Sequence, residues 1–141
     1  MNNSIQVNCT KKNLKIIRDF VTEYLHALTL TDILMNQIVL AVDEICANLI
    51  IHANQEDPSK HILLSIHKLT TNKPGDTLQF AISDWGMAFD HFSYKEPDLQ
   101  KKIKNNEGGG WGLLLVRRLM DKVEFKTEGS KNTCLLYKKI K

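Results

Sequence analysis

A change of period near residue 60 restricts this chain more than any other feature. Up to Asn54, apolar side chains recur every three or four residues, and from His61 they recur every second residue. The first rhythm belongs to helices with one apolar stripe and the second to half-buried strands, because side chains wind around a helix but alternate across a strand. In the helical half, Leu14, Ile17, Val21, Leu25 and Leu28 line one stripe, and Leu34, Ile38, Ala41, Ile45 and Leu49 line another that runs to Asn54, just before the polar segment containing Pro58. Thr10 stands where it can cap the first helix, and Thr31 or Asp32 the second. In the strand half, Ile62, Leu64 and Ile66 fall on one face, as do Leu78, Phe80 and Ile82 after the turn Lys73-Pro74-Gly75-Asp76.

The remaining segments complete the pattern. Ile5 and Val7 alternate with polar residues and predict a short first strand. A glycine cluster opens a short helix over residues 111–120, and residues 123–127 and 133–140 read as closing strands joined by Glu128-Gly129-Ser130-Lys131-Asn132. Residues 91–107 are polar, rich in Lys and Asn, and read as a loop. The order strand, helix, helix, strand, strand, helix, strand, strand predicts an α+β two-layer sandwich, with a mixed, mostly antiparallel sheet and helices on one face.

At 141 residues and 43% hydrophobic content, one domain spanning residues 1–141 accounts for the chain. The excess of 19 basic over 16 acidic residues is too small to argue for nucleic acid, and the lysine clusters at 101–104 and 138–141 read as a solvated loop and tail. Cys9, Cys46 and Cys134 are odd in number and lack Cys-x-x-Cys spacing, which predicts buried thiols rather than a disulfide framework or zinc site. The N-terminus shows no charged region followed by an apolar run, and no stretch reads as about 18 consecutive apolar residues. The expectation is a cytoplasmic protein with no membrane or direct nucleic-acid partner.

Three segments can carry chemistry. Glu44 and Asn48 lie four apart on the second helix, hence on one face. An asparagine oxygen suits a magnesium ion that keeps its waters and takes other ligands from phosphates. Glu44, one turn away, suits a general base. Taken alone, the pair reads equally as a solvated helix face. Asp84 ends a buried strand and Gly86 follows: a carboxylate there can accept from the exocyclic amine of adenine, and a residue without Cβ lets a flat base approach, although Asp and Gly also make ordinary turns. Gly108-Gly109-Gly110-Trp111-Gly112 leads into Leu113, so unpaired N–H groups at a helix N-terminus can face a phosphate, unless the glycines are only a hinge. Lys-Asn-Asn-Glu before the glycines disfavours a Rossmann turn, and no glycine here is followed by Lys and Ser or Thr as in a P-loop.

In order, Glu44-x-x-x-Asn48 on a helix, Asp84-x-Gly86 after a strand, Gly110-x-Gly112-Leu113 opening a helix and Asn132-Thr133 before a last strand resemble the GHKL ATPase and kinase superfamily over nearly the whole chain. The nearest likeness is to bacterial anti-sigma-factor serine/threonine kinases, from Phe89-Asp90 after the Asp-x-Gly box and the run from Gly112 to Val123. The resemblance implies that ATP and magnesium are the cofactors, that Asn48 binds the metal, that Glu44 is the catalytic base and that Asp84 with Gly86 recognises adenine. It further implies that Gly110 and Gly112, with Gly108 and Leu113, hold the phosphates, that Thr133 supports the base site through Asp84 or a water, and that residues 91–107 form a lid where Lys101, Lys102 or Lys104 approaches the phosphates. Met87-Ala88 stands where many members carry a second glycine, which suits the anti-sigma subgroup, and bulky Trp111 separates two glycines.

The implied function is phosphorylation of an anti-sigma-factor antagonist, with a sigma factor sequestered in the alternative state, by a homodimer. Competing readings are an ATP-gated binding module without transfer, a sensor histidine kinase catalytic domain, which calls for a preceding dimerisation helix, and a ligand-free structural module.

Overall fold

The computed structural model describes residues 3–69, 76–86 and 111–140. The elements follow the predicted order: β1 (Ser4–Asn8), α1 (Asn13–His26), α2 (Asp32–Asn48) prolonged by a π-helical turn (Leu49–Ala53), β2 (His61–Leu69), β3 (Thr77–Asp84), α3 (Trp111–Leu119), β4 (Lys122–Glu128) and β5 (Lys131–Lys139). The turn expected at Lys73-Pro74-Gly75 and the lid expected at 91–107 lie outside the described residues.

The five strands form one sheet in the order β1-β2-β3-β5-β4. All four pairings are antiparallel, so the expected mixed sheet is corrected to a purely antiparallel one among the described residues. The connection through α3 carries the chain to the far edge, and β5 then returns between β4 and β3. The period-two residues behave as their pattern requires: Ile62, Leu64, Ile66, Leu78, Phe80, Ile82, Cys134 and Leu136 are all buried on the face that meets the helices. Ile17, Val21 and Leu25 from α1, Ile38, Ala41, Ile45 and Leu49 from the long helix, and Val116 from α3 fill the other side of that layer. Each large side chain withdrawn from water contributes about 1.5–3 kcal/mol, which makes this interface the main source of stability.

The helix from Asp32 to Ala53 is 22 residues long, with a mean hydropathy of 1.6 over its most apolar stretch, so one segment does reach the length and composition of a membrane span. The expectation that none would is corrected. Its apolar faces have protein partners, however, since Met35, Ile38, Ala41, Val42, Ile45, Cys46, Leu49 and Ile50 are buried against α1, α3 and the sheet.

Helix and strand ends hold two more corrections. Thr31 caps α2 as expected, its Oγ1 accepting from the Leu34 N–H at 3.2 Å. Thr10 is not the cap of α1, which begins at Asn13 without a side-chain cap; the main-chain carbonyls of Thr10 and Lys11 accept from Asn13 and Leu14 instead. The β4–β5 turn is also tighter than the sequence suggests. Glu128 pairs with Lys131, leaving only Gly129 and Ser130 at the tip, and Gly129 adopts φ 61°, a left-handed conformation that glycine accepts without strain. Strand β5 therefore starts two residues earlier than expected, and Asn132 becomes a strand residue.

Cys9, Cys46 and Cys134 are free and buried, as their spacing suggested. Burial pushes the Cys9 thiol up to about 11, with the charges of Asp84 and Asp57 adding to it, and burial raises Cys46 and Cys134 as well. Thiolate is the reactive form, so all three should resist iodoacetamide at about pH 8 in the folded protein and react once it is denatured, as counted by intact-mass spectrometry. Rapid native labelling of any of them would contradict this packing.

Candidate functional site

Strand β3 carries its alternation one residue past the apolar core. Ile82 and Asp84 point to the same side, so the carboxyl group of Asp84 lands inside the protein, fully buried. Its Oδ2 accepts hydrogen bonds from Asn54 Nδ2 and from the Gly86 N–H, both at 3.1 Å. Among the described residues, nothing donates to its buried Oδ1 or to the buried Oδ1 of Asn54. Burial raises the Asp84 pKa above its ordinary value, against the opposing effect of hydrogen bonds from Asn54, Gly86 and Asn132.

Asn54 reaches this position because α2 ends in a π turn. The wider turn lets both the backbone N–H and Nδ2 of Asn54 donate to the Leu49 carbonyl, at 2.9 and 2.8 Å. The next two residues, Gln55 and Glu56, have φ of 53° and 56°, a left-handed conformation that costs non-glycine residues about 1 kcal/mol or more each. That strained exit turns the chain sharply, while Glu56 N–H caps the Ile50 carbonyl at 2.7 Å. Gly86 packs tightly against it: a Cβ there would lie 2.5 Å from Asn54 Oδ1 and 3.0 Å from the Ala53 carbonyl oxygen.

From the other side comes Asn132, 1% exposed and in register with Asp84. Its Nδ2 donates to the Gly86 carbonyl at 3.4 Å, and its Oδ1 accepts from Thr127 Oγ1 at 3.1 Å. An unmade hydrogen bond on a buried acceptor costs about 1–3 kcal/mol, so two such acceptors beside one glycine fit a ligand that brings N–H donors. The amino group of a nucleobase is such a donor.

Further back along the same helix, Glu44 and Asn48 are half-buried and face the first turn of α3. A Cβ on Gly112 would lie 2.5 Å from Glu44 Oε2 and 3.8 Å from Asn48 Nδ2, so the glycine is what lets α3 approach these side chains. Leu113 and Val116 are buried and anchor α3 to the core. Among the described residues no group of three or more His, Cys, Asp or Glu forms a metal cage, so a divalent ion at Asn48 would draw most of its ligands from a bound phosphate and water.

The expected site residues thus fall into two clusters, Glu44 with Asn48 and Gly112, and Asp84 with Gly86, joined by the end of α2. Gly108 and Gly110 lie outside the described residues, as do Lys101, Lys102 and Lys104. Thr133 does not reach Asp84. It sits on the opposite face of the sheet, its Oγ1 2.9 Å from Ser83 Oγ. The tighter β4–β5 turn pairs Thr127 with Asn132 rather than with Thr133, and this one-residue change of register gives Asn132 the inward position, because such a shift exchanges the two faces of a strand. Asn54 and Asn132 are the site residues that the sequence reading missed; the sign available was a polar residue at each end of an otherwise apolar inward series.

The protein is thus a two-layer α+β domain, an antiparallel sheet with three helices on one face and a cluster of buried polar side chains where β3 meets the end of α2. Residues 7–138 match the family model described as histidine kinase-like ATPase domain. The chain belongs to that family, which carries the GHKL fold and implies ATP as its nucleotide. Among curated proteins it is 31% identical over 98 residues to the serine-protein kinase RsbW of Halalkalibacterium halodurans, covering 67% of this chain and 56% of that protein. It is 26% identical over 95 residues to RsbW of Bacillus mycoides, covering 64% and 55%. The chain therefore spans about half the length of these relatives.

Two solved structures share the fold. One contains the RsbU and RsbW domains of Rv1364c from Mycobacterium tuberculosis, with a TM-score of 0.61 at 16% identity, covering 96% of this chain and 30% of that one. The other is the SiaB–SiaC complex from Pseudomonas aeruginosa, with a TM-score of 0.60 at 13% identity, covering 97% and 89%.

Two outcomes follow from the base-side cluster. Because the folded pKa of Asp84 lies above the unfolded one, the protonated form is favoured by folding, and that contribution is lost as pH rises through the folded pKa. Asp84→Asn removes the loss, so calorimetry at about pH 8 should give a melting temperature equal to or above wild type, with the difference shrinking toward about pH 4. A fall of several degrees at the higher pH would contradict the account. Gly86→Ala should destabilise the fold by about 1–3 kcal/mol in urea titrations, because the added methyl meets the Ala53 main-chain carbonyl, which cannot swing away as a side chain can.

Proposed function

We propose that the domain is an ATP- and magnesium-dependent serine/threonine protein kinase of the anti-sigma-factor type. The observation that carries the nucleotide part is the pair of unpartnered, buried acceptors, Asp84 Oδ1 and Asn54 Oδ1, beside Gly86, whose missing side chain lets the chain turn tightly against both residues. Asp84 would accept from the base amino group, with Gly86 beneath the ring. Asn48 would offer its amide oxygen to magnesium, and the first turn of α3, beginning at Trp111 and Gly112, would turn its unpaired N–H groups toward the phosphates.

Bound magnesium would neutralise charge that builds on the transferred phosphoryl group. The chain's own contribution to transfer lies in Glu44. Its carboxylate, beside Gly112 and one turn from Asn48, would take the proton from an attacking hydroxyl as the new oxygen–phosphorus bond forms and the bond from the γ-phosphorus to the leaving ADP oxygen breaks. Transfer to serine or threonine is supported by the names of the relatives, which are serine-protein kinases. A protein as the phosphate acceptor is in keeping with the SiaB–SiaC complex, in which a similarly folded chain is bound to another protein. On this reading the substrate is an anti-sigma-factor antagonist, the alternative partner is a sigma factor, the working form is a homodimer, and the site of action is the cytoplasm.

Radiolabelled ATP incubated with candidate antagonist proteins tests the transfer. Label should appear on serine or threonine of one of them, and Glu44→Gln should lower the rate by about 10²–10⁴-fold while ATP still binds. Asn48→Ala should remove the magnesium-dependent part of the affinity. Retained ATP binding with no labelled acceptor would instead favour the nucleotide-gated binding module, and unchanged transfer by Glu44→Gln would remove that residue from the chemistry.

A further inference from the structure

The face of the sheet turned away from the helices is unusual in its relief. Strand register arranges its side chains in rows across β2, β3, β5 and β4. One row is His61, Trp85 and Lys131, where the Trp85 ring stands 4.8 Å from the His61 ring and Lys131 Nζ lies 6.0 Å over its other side. Three rows away, Gln79 Nε2 donates to Tyr137 Oη at 3.1 Å, and the Tyr137 hydroxyl donates to Glu124 at 3.4 Å. Lys122 Nζ holds the same Glu124 at 2.7 Å and lies 5.5 Å from the Tyr137 ring centre. These are two ridges whose members pin one another, and at about 3.3 Å per residue their centres are roughly 20 Å apart.

Between them the side chains are short. Leu63, Ser65, Ala81, Ser83 and Thr133 form the floor of a trough of ≈ 300 Å³, with Lys126, Lys131 and Glu128 along one side and His67 at its edge. Nothing large fills the centre, and the floor offers hydroxyl donors. The charged side chains that β4 and β5 turn to this face are Lys122, Lys126, Lys131 and Lys139 against Glu124 and Glu128, and Glu124 is already matched by Lys122. The trough therefore presents net positive charge and hydrogen-bond donors between two stiff aromatic walls.

We infer that this trough is a docking site for an acidic segment of a partner protein, on the side of the domain opposite the nucleotide pocket. Carboxylates would meet Lys126 and Lys131, the hydroxyl of Ser65, and the one hydroxyl of the Ser83–Thr133 pair that does not donate within it. A nucleic-acid backbone fits less well, because Glu128 breaks the basic track that evenly spaced phosphates need, whereas a peptide segment can set its carboxylates at the two lysines and an uncharged residue beside Glu128. The site is independent of the kinase reading, since none of its residues faces Asp84, Asn48 or Glu44.

The test uses a fluorescein-labelled peptide of alternating glutamate and serine, followed by anisotropy and by amide shifts in nitrogen-edited NMR spectra. Saturable binding should weaken as salt rises from about 50 mM to about 300 mM. Lys126→Glu combined with Lys131→Glu, and separately Ala81→Trp, which fills the trough without altering charge, should each weaken binding by about tenfold or more. Shifted amides should cluster at 63–67, 81–83 and 131–135, and affinity for ATP should be unchanged in both variants. Absence of saturable binding, equal binding of a lysine–serine peptide, tighter binding of a single-stranded oligonucleotide, or perturbed amides confined to the helices would each overturn the assignment. So would self-association in sedimentation that buries this face and excludes the peptide.

Discussion

The hydrogen bond from Asn54 to Asp84 ties the end of the long helix to the end of the central strand, and the base-side geometry depends on it. A buried carboxylate is costly, and here burial outweighs the hydrogen bonds that oppose it. The fold keeps the group because three elements converge on it: the π turn delivers Asn54, the Asp84–Gly86 turn supplies a backbone N–H, and β5 brings Asn132 alongside. Two left-handed residues at the helix exit add to the strain. Two of the three left-handed non-glycine residues and two of the three unpaired buried side-chain polar atoms among the described residues lie at this one spot, in a core otherwise built mainly of apolar side chains.

Both halves of the site hang on one rigid element. Asn48 and Asn54 are six residues apart on a continuous helical segment, a rise of about 9 Å, with Glu44 one turn earlier. The spacing between the Asp84 cluster and the Glu44 cluster is therefore set by a single helix, and the core residues between, Leu49 and Ile50, are fully buried. The close fit of Gly112 on Glu44 sets the opposite limit, since any side chain there would push the carboxylate from its place.

Much of this was legible from residue order. The two periods gave the layers, and the inward series Ile82–Asp84 and the four-residue step from Glu44 to Asn48 marked the polar groups that matter. What escaped was decided by single-residue geometry. A five-residue turn and a two-residue turn are equally compatible with Glu128-Gly129-Ser130-Lys131-Asn132, yet the choice determines whether Asn132 or Thr133 looks inward. Asn54 read as a helix end because a π turn has no signature in composition; only the doubled hydrogen bond to Leu49 reveals it. Thr10 is a good capping residue by type, but its main chain makes the turn into α1.

The alternation at the end of β3 has one more implication. Ser83 and Trp85 look one way and Asp84 the other, so three consecutive residues belong by turns to opposite surfaces of a single layer. The backbone there cannot rotate for one surface without turning the other, since the described strands form a single sheet. A backbone rotation that re-aims one of these side chains therefore re-aims the others, whereas a change of rotamer at Trp85 leaves Asp84 where it is.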